Sequence, residues 1–300
     1  MKRQSFLAHS IVLALAAAGL GAALAGCRHS PSSAPIAFLA QGDGRWQVWW
    51  MPTPEAAPKQ VTHLSQDVQR LSWFPGGQEV LANLQDGRLL RVNVRTGATQ
   101  PVNFPFAGIL DAVVAPDGHR VAFSMSLADS NDRNDIWTYD LQSGERRKLF
   151  SMPGLQHEPA WSPDGKSIYF LSGKNPQTHD IWRVDVASGS SEQLTVNRLY
   201  HFDVAVRDDG TLVYSGEQGG KYDLWLLSPK GKPERLMEDA ALDARPSWSP
   251  DGESLVFEST REGATPDLWR WDEGTQQIKR ITHIAGGARM PVWAVEGDRR

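Results

Sequence analysis

PAWSPDGKSIYF at residues 159–170 and PSWSPDGESLVF at residues 246–257 are nearly the same twelve letters, spelled twice in one chain. A single active-site motif would appear once, so the duplicated string points to architecture. Within it, Ser162 and Pro163 suit the first two positions of a type I turn, and Gly165 supplies the left-handed residue that closes a hairpin with a bulge. The residues that follow, Ser167 to Leu171, are β-branched, aromatic or apolar after the serine and too few for a globular helix. A second strand-like run, Asp180 to Asp185, lies beyond a polar loop; after the Ser188-Gly189 turn comes a third, Glu192 to Thr195. Counting the Pro159-Ala160-Trp161 approach, one repeat is four short antiparallel strands.

Worn copies extend the pattern along the chain. The turn recurs as SWFPGG (72–77), VVAPDG (113–118), WSPDG (161–165), VRDDG (206–210), WSPDG (248–252) and WAVEGD (293–298). Its final glycines, Gly77, Gly118, Gly165, Gly210, Gly252 and Gly297, are 41, 47, 45, 42 and 45 residues apart. A period of about 40 to 50 residues with four strands per unit is that of a propeller blade. The third strand recurs as NDIWTYD, HDIWRVD, YDLWLLS and PDLWRWD, and the fourth as KQVTH, RKLF, EQLT, ERLM and KRIT. The two ends are in complementary phase: Ile36 to Leu39 read as a second strand lacking a first, and Pro291 to Trp293 as a first strand lacking a second. The expected fold is therefore all-β, a six-bladed β-propeller of four-stranded antiparallel blades, closed by the N-terminal strands pairing with the C-terminal strand.

The beginning of the chain reads as an address. Lys2 and Arg3 precede an apolar run from Ile11 to Leu24 that is shorter than the roughly 20 residues of a membrane-spanning helix. Residues 1–26 are expected to be a signal peptide. The string Leu24-Ala25-Gly26-Cys27 resembles the bacterial lipobox, and Cys27 is the sole cysteine, with no disulfide partner. The resemblance implies acylation of Cys27 (palmitate among the chains), a short tether over residues 27–35, and a domain over 36–300. Arg28, where an aspartate would favour inner-membrane retention, implies an outer-membrane lipoprotein facing the periplasm. Without residues 1–26 the chain carries 29 basic and 35 acidic residues. That balance argues against nucleic acid, which needs a basic footprint.

The WSPDGK, I-x-F, D-I-W-x-x-D and x-L-T set resembles the repeats of the TolB-type β-propeller family, also called PD40 or WD40-like repeats, across residues 36–298. The resemblance is specific for fold and weak for activity, since such blades also occur in prolyl oligopeptidases and some sugar lyases. TolB proteins carry an α/β domain ahead of the propeller; the eight residues between Cys27 and Ile36 leave no room for one there. In that family the channel mouth receives the lipoprotein Pal, which implies an envelope protein or peptide as partner, a Pal-like one by analogy.

The residues leading into the six inner strands are read as Gln69-Arg70, Ile109-Leu110, His157-Glu158, His201-Phe202, Ala244-Arg245 and Arg289-Met290. Arg70, His157, Glu158, His201, Phe202, Arg245 and Arg289 are thus the candidate partner-binding residues, arginine and aromatic rings being suited to interfaces. Asp135, Asp180, Asp223 and Asp267 recur at the head of third strands, and repetition of this kind suits hydrogen bonding to loops. Residues 129–135 space oxygen donors like a calcium loop but lack its glycine and terminal glutamate. The expectation is a monomeric, non-catalytic binding platform with no catalytic residue, metal or cofactor. The alternative is a propeller enzyme, a metal-assisted lyase or hydrolase using His157, Glu158, His201, Asp111 and Asp203 in the channel. No G-x-S-x-G or H-E-x-x-H motif supports it.

Overall fold

A computed structural model describes residues 33–126, 134–175, 178–196, 200–239 and 241–295, with the side chains of 174, 175 and 178 excepted. The expectations for residues 1–32, including Cys27, for most of the polar loop at 129–135 and for Gly297 lie outside the described residues. Every regular element among the described residues is a strand.

The chain opens with β1 (Ile36–Gly42), β2 (Arg45–Met51) and β3 (Lys59–Gln60), followed by β4 (Val68–Trp73), β5 (Glu79–Leu84), β6 (Leu89–Asn93) and β7 (Thr99–Pro101). Next come β8 (Val113–Val114), β9 (Arg120–Ser126), β10 (Asn134–Asp140) and β11 (Arg146–Lys148), then β12 (Leu155–Trp161), β13 (Ser167–Asn175), β14 (Thr178–Asp185) and β15 (Ser191–Gln193). The series continues with β16 (Tyr200–Val206), β17 (Leu212–Gln218), β18 (Lys221–Leu227) and β19 (Glu234–Arg235), and ends with β20 (Asp243–Trp248), β21 (Ser254–Ser259), β22 (Asp267–Asp272), β23 (Gln277–Arg280) and β24 (Ala288–Trp293).

Three sheets have four strands, β4 to β7, β20 to β23, and β24-β1-β2-β3. In the last, Ile36 faces Trp293 and Ala37 faces Val292, the pairing of the chain's two ends. The remaining twelve strands form one sheet where three separate ones were expected. Two single-residue parallel pairings cause the merger, Asn134 with Leu155 and His179 with Tyr200. In each case the start of a third strand meets the start of the next first strand, so neighbouring antiparallel quartets touch at these strand ends.

The repeated turn forms as its residues dictate. Gly165 has φ of +68° and donates its N–H to Ser162 O, while Ser162 N–H reaches back to Ser167 O. The strand after the turn supplies the core: Phe38, Phe123, Phe170, Tyr214 and Phe257 occupy the same position in five second strands and are the largest fully buried side chains. Each such ring contributes about 1.5–3 kcal/mol by leaving water. The aspartates at the heads of third strands hold the outermost strand. Thr282 Oγ1 accepts from Leu268 N and donates to Asp267, and Thr195 does the same between Ile181 N and Asp180. Gln47 replaces the aspartate opposite Thr62. Where Phe150 and Met237 replace the threonine, Lys148 approaches Asp135 at 3.4 Å and Arg235 approaches Asp223 at 3.6 Å.

Candidate functional site

A cavity of about 1090 Å³ is lined by residues of β4, β8, β12, β16, β20 and β24, the first strand of every quartet. One end is walled by Arg70, Asp203, Arg245 and Met290, the other by the turn prolines Pro75, Pro116, Pro163 and Pro250. The first end is the mouth towards which the incoming loops lead.

A repeated backbone distortion builds this mouth. Glu158, Asp203, Arg245 and Met290 have φ of +52°, +54°, +54° and +52°. Such values are uncommon outside glycine and cost roughly 1–3 kcal/mol each. All four sit in register shifts, between His157 and Ala160, Phe202 and Ala205, Ala244 and Ser247, and Arg289 and Val292. The turned backbone presents its N–H to the preceding quartet, which holds it: Glu158 N–H donates to Asp111 Oδ2 at 3.1 Å, and Asp203 N–H to Glu158 Oε2 at 2.9 Å. Arg245 N–H donates to Ser215 Oγ at 3.0 Å and Met290 N–H to Glu258 Oε2 at 3.1 Å. The strain is thus coupled to bonds between neighbouring quartets.

These bonds correct the register read from sequence. Three residues before Trp73, Val114, Trp161, Val206, Trp248 and Trp293 stand Arg70, Asp111, Glu158, Asp203, Arg245 and Met290. Asp111 and Asp203 hold the positions assigned to Leu110 and Phe202. Proline follows the turned residue at Pro159, Pro246 and Pro291 and marks its place; Ala112 and Val204 give no such mark. A one-residue bulge exchanges the two faces of a strand, so the error moved an apolar residue into a charged position. His201 is also corrected: it is fully buried, edge-on against Tyr214 at 4.9 Å, and forms no part of an exposed face. Phe202 is half-buried: it meets Tyr222 at 5.1 Å and packs against a core cluster.

The charges around the mouth are mutually arranged. Burial alone would raise the Glu158 carboxyl, but the close approach of His157 (3.6 Å) and the charges of Arg70 and His157 hold it at about 2. Burial and the neighbouring Glu158 charge push Asp203 up to about 7 against the pull of Arg245 and Arg70. Arg245 lies 2.6 Å from Glu258 and 3.5 Å from Asp203. Burial would lower its pKa, yet those two carboxylates raise it. The ring of His157 meets that of His179 at 4.5 Å, and His179 meets Tyr200 at 4.7 Å. His179 is 5% exposed, and burial and then the charge of His157 lower it to about 4. Both of its ring nitrogens lack a hydrogen-bond partner. Among the described residues no group of three or more His, Cys, Asp or Glu is disposed to hold a metal ion.

Glu258, His179 and Trp46 were not singled out from sequence. A signal for Glu258 existed: the residue after the buried core ring is Ser124, Ser215 or Glu258 where an all-apolar strand would have leucine, as at Leu39 and Leu171. Polar residues there bond the mouth.

Residues 86–295 match the TolB beta propeller domain family, PD40. The chain belongs to this TolB-like propeller family. An uncharacterized protein of Agrobacterium fabrum is 30% identical over 244 residues, covering 76% of this chain and 81% of its own length. The Tol-Pal system protein TolB of Nitratidesulfovibrio vulgaris is 25% identical over 158 residues, covering 51% of this TolB-like chain and 36% of that protein. In three dimensions, TolB from Acinetobacter baumannii superposes with a TM-score of 0.75 at 22% identity, over 88% of this chain and 67% of the other. That likeness establishes the fold of the TolB-like domain and not its partner.

Proposed function

We propose that the chain is a lipid-anchored, periplasm-facing propeller of six blades, closed through β24 and β1, that serves as a non-catalytic docking platform for a protein or peptide of the cell envelope. Support for the ring comes from the contacts of β4, β8, β12, β16, β20 and β24, each with the next and β24 with β4, around one cavity. The observation that carries the docking reading is the mouth itself, where strained, charged residues from successive strands are held at the rim of that cavity. Stored strain of this kind is characteristic of ligand clamps. Exposed apolar side chains on two incoming segments add contact area, Leu110 at 47% and Leu242 at 40% exposure. A relative named for the Tol-Pal system makes a Pal-like lipoprotein a fitting partner class. Membrane attachment would come from Cys27.

Photo-crosslinkers placed at Leu110 and Leu242 in intact cells test the reading. A discrete envelope protein is expected, lost when Arg70 and Arg289 are both changed to glutamate. Absence of any adduct, or adducts indifferent to the double reversal, rejects the mouth as the docking face. Cys27→Ala is expected to move the protein from the membrane to the soluble fraction.

A further inference from the structure

Three guanidinium groups reach the mouth, and their surroundings differ. Arg245 is enclosed by Asp203 and Glu258. Arg70 and Arg289 have no carboxylate within ion-pair distance among the described residues. Arg289 instead lies on the face of Trp46, 3.8 Å from the ring centroid, and its Nε is buried without a hydrogen-bond acceptor. Its pKa is lowered by burial and by the charge of Arg245, which outweigh the more distant Glu258 and Asp67, whereas Arg207, Arg245 and Arg280, each in direct contact with carboxylates, shift upward. An N–H removed from water without an acceptor is destabilising. This chain has 35 acidic residues against 31 basic ones, so an internal acceptor was easily available to it.

We propose that Arg289, stacked on Trp46 and accompanied by Arg70, receives a carboxylate group of the polypeptide that docks at the mouth. The inference rests on the docking reading and adds the chemistry its partner must carry. The indole fixes the plane of the guanidinium, so the edge left free presents parallel N–H donors that match two carboxylate oxygens. Arg70 lines the cavity from β4, which touches β24, where Arg289 directly precedes the cavity-lining Met290. It supplies a second positive charge without a competing internal ion pair. An ammonium group meets the opposite situation, because the mouth's carboxylates are already engaged: Asp111 and Glu158 by backbone N–H groups, and Asp203 and Glu258 by Arg245.

The carboxylate can belong to an aspartate or glutamate side chain or to a chain terminus, and three probes separate these sources. The full chain, purified in detergent, is titrated calorimetrically with C-amidated hexaglutamate, with N-acetylated pentaglycine bearing a free C-terminus, and with C-amidated hexalysine. One of the two carboxylate probes is expected to bind and hexalysine is not. Arg289→Gln is expected to weaken binding by about tenfold or more, the loss of a charge-assisted pair. Arg289→Lys keeps charge but loses the planar fork, and a smaller, several-fold loss is expected. Arg70→Gln provides a variant that leaves the Trp46 stack intact, and an unchanged melting temperature certifies each protein. Hexaglutamate binding assigns a side chain and pentaglycine binding a terminus. Binding of neither, or binding insensitive to both Arg289→Gln and Arg70→Gln, overturns the proposal. If both probes fail while the crosslinkers still capture a partner, the carboxylate assignment falls and the docking reading stands.

Discussion

The mouth has two unlike arcs. From β8 through β20 its charges are engaged internally: Asp111 and Glu158 accept backbone N–H groups, and Arg245 bridges Asp203 and Glu258. Around β24 and β4 the charges are cationic and lack such partners, with Arg289 on Trp46 and Arg70 facing the cavity. The first arc uses electrostatics to hold strained backbone and neighbouring quartets together. The second acts on the internal carboxylates only through space and keeps its guanidinium groups out of direct ion pairs, as recognition of an external group requires. Residue type does not separate the two, since both contain arginine; what separates them is whether a carboxylate has been supplied by the fold.

The largest effect expected of this contrast is on stability. Arg245→Gln leaves Asp203 and Glu258 facing each other without a cation. A cost of about 2–3 kcal/mol is expected in urea unfolding at neutral pH, below the roughly 3–5 kcal/mol for breaking a fully buried pair, because 34% of the Arg245 side chain meets solvent. A value near zero would erase the distinction between the arcs. For the same reason charge reversal at Arg245 is a poor probe of docking, since it would disturb the fold.

A second test is the pH dependence of the internal arc. Asp203 is pushed up to about 7, so the folded state favours its protonated form. The associated stabilisation is complete below the ordinary aspartate range near about 3.9 and is lost as pH rises through about 7. Asp203→Asn abolishes that loss, and asparagine tolerates the left-handed backbone. The stability of the variant relative to the parent is therefore expected to rise steadily from pH 4 to 7 and then level off. His179 and His201, both lowered to about 4 by burial, weaken the fold as pH falls below about 6.5, but they do so in both proteins. A pH-independent difference would place Asp203 outside the coupled set. The smallest effect belongs to the other arc: Arg70→Gln removes no direct ion pair, only the longer-range pull of Arg70 on Glu158 and Asp203, and is expected to cost about 1 kcal/mol or less. A loss comparable to that of Arg245→Gln would assign Arg70 to the structural arc.

Much of the fold was legible because each repeat is local. The turn glycines, the buried ring of the second strand and the outer-strand threonines all recur within one quartet, where short-range pattern governs. The site was legible in part. Arg70, Glu158, Arg245 and Met290 were found at their positions because proline or tryptophan punctuates their strands. Asp203 is displaced by a bulge and Asp111 sits on an incoming segment that no proline marks, so only their hydrogen bonds reveal their places, and the strand of His201 turns it inward, away from the rim.

Sequence by itself determined the repeat, the order of strands within it and the complementary phase of the two ends, since these follow from steric preferences and hydrophobic period along the chain. Tertiary structure decided which charges neutralise one another. Glu258 reaches the backbone of Met290 and Trp46 lies under Arg289 only because distant segments converge on one rim. Coulombic and hydrogen-bonding partners are set by distance in space, and the amino-acid order carries no direct record of that distance.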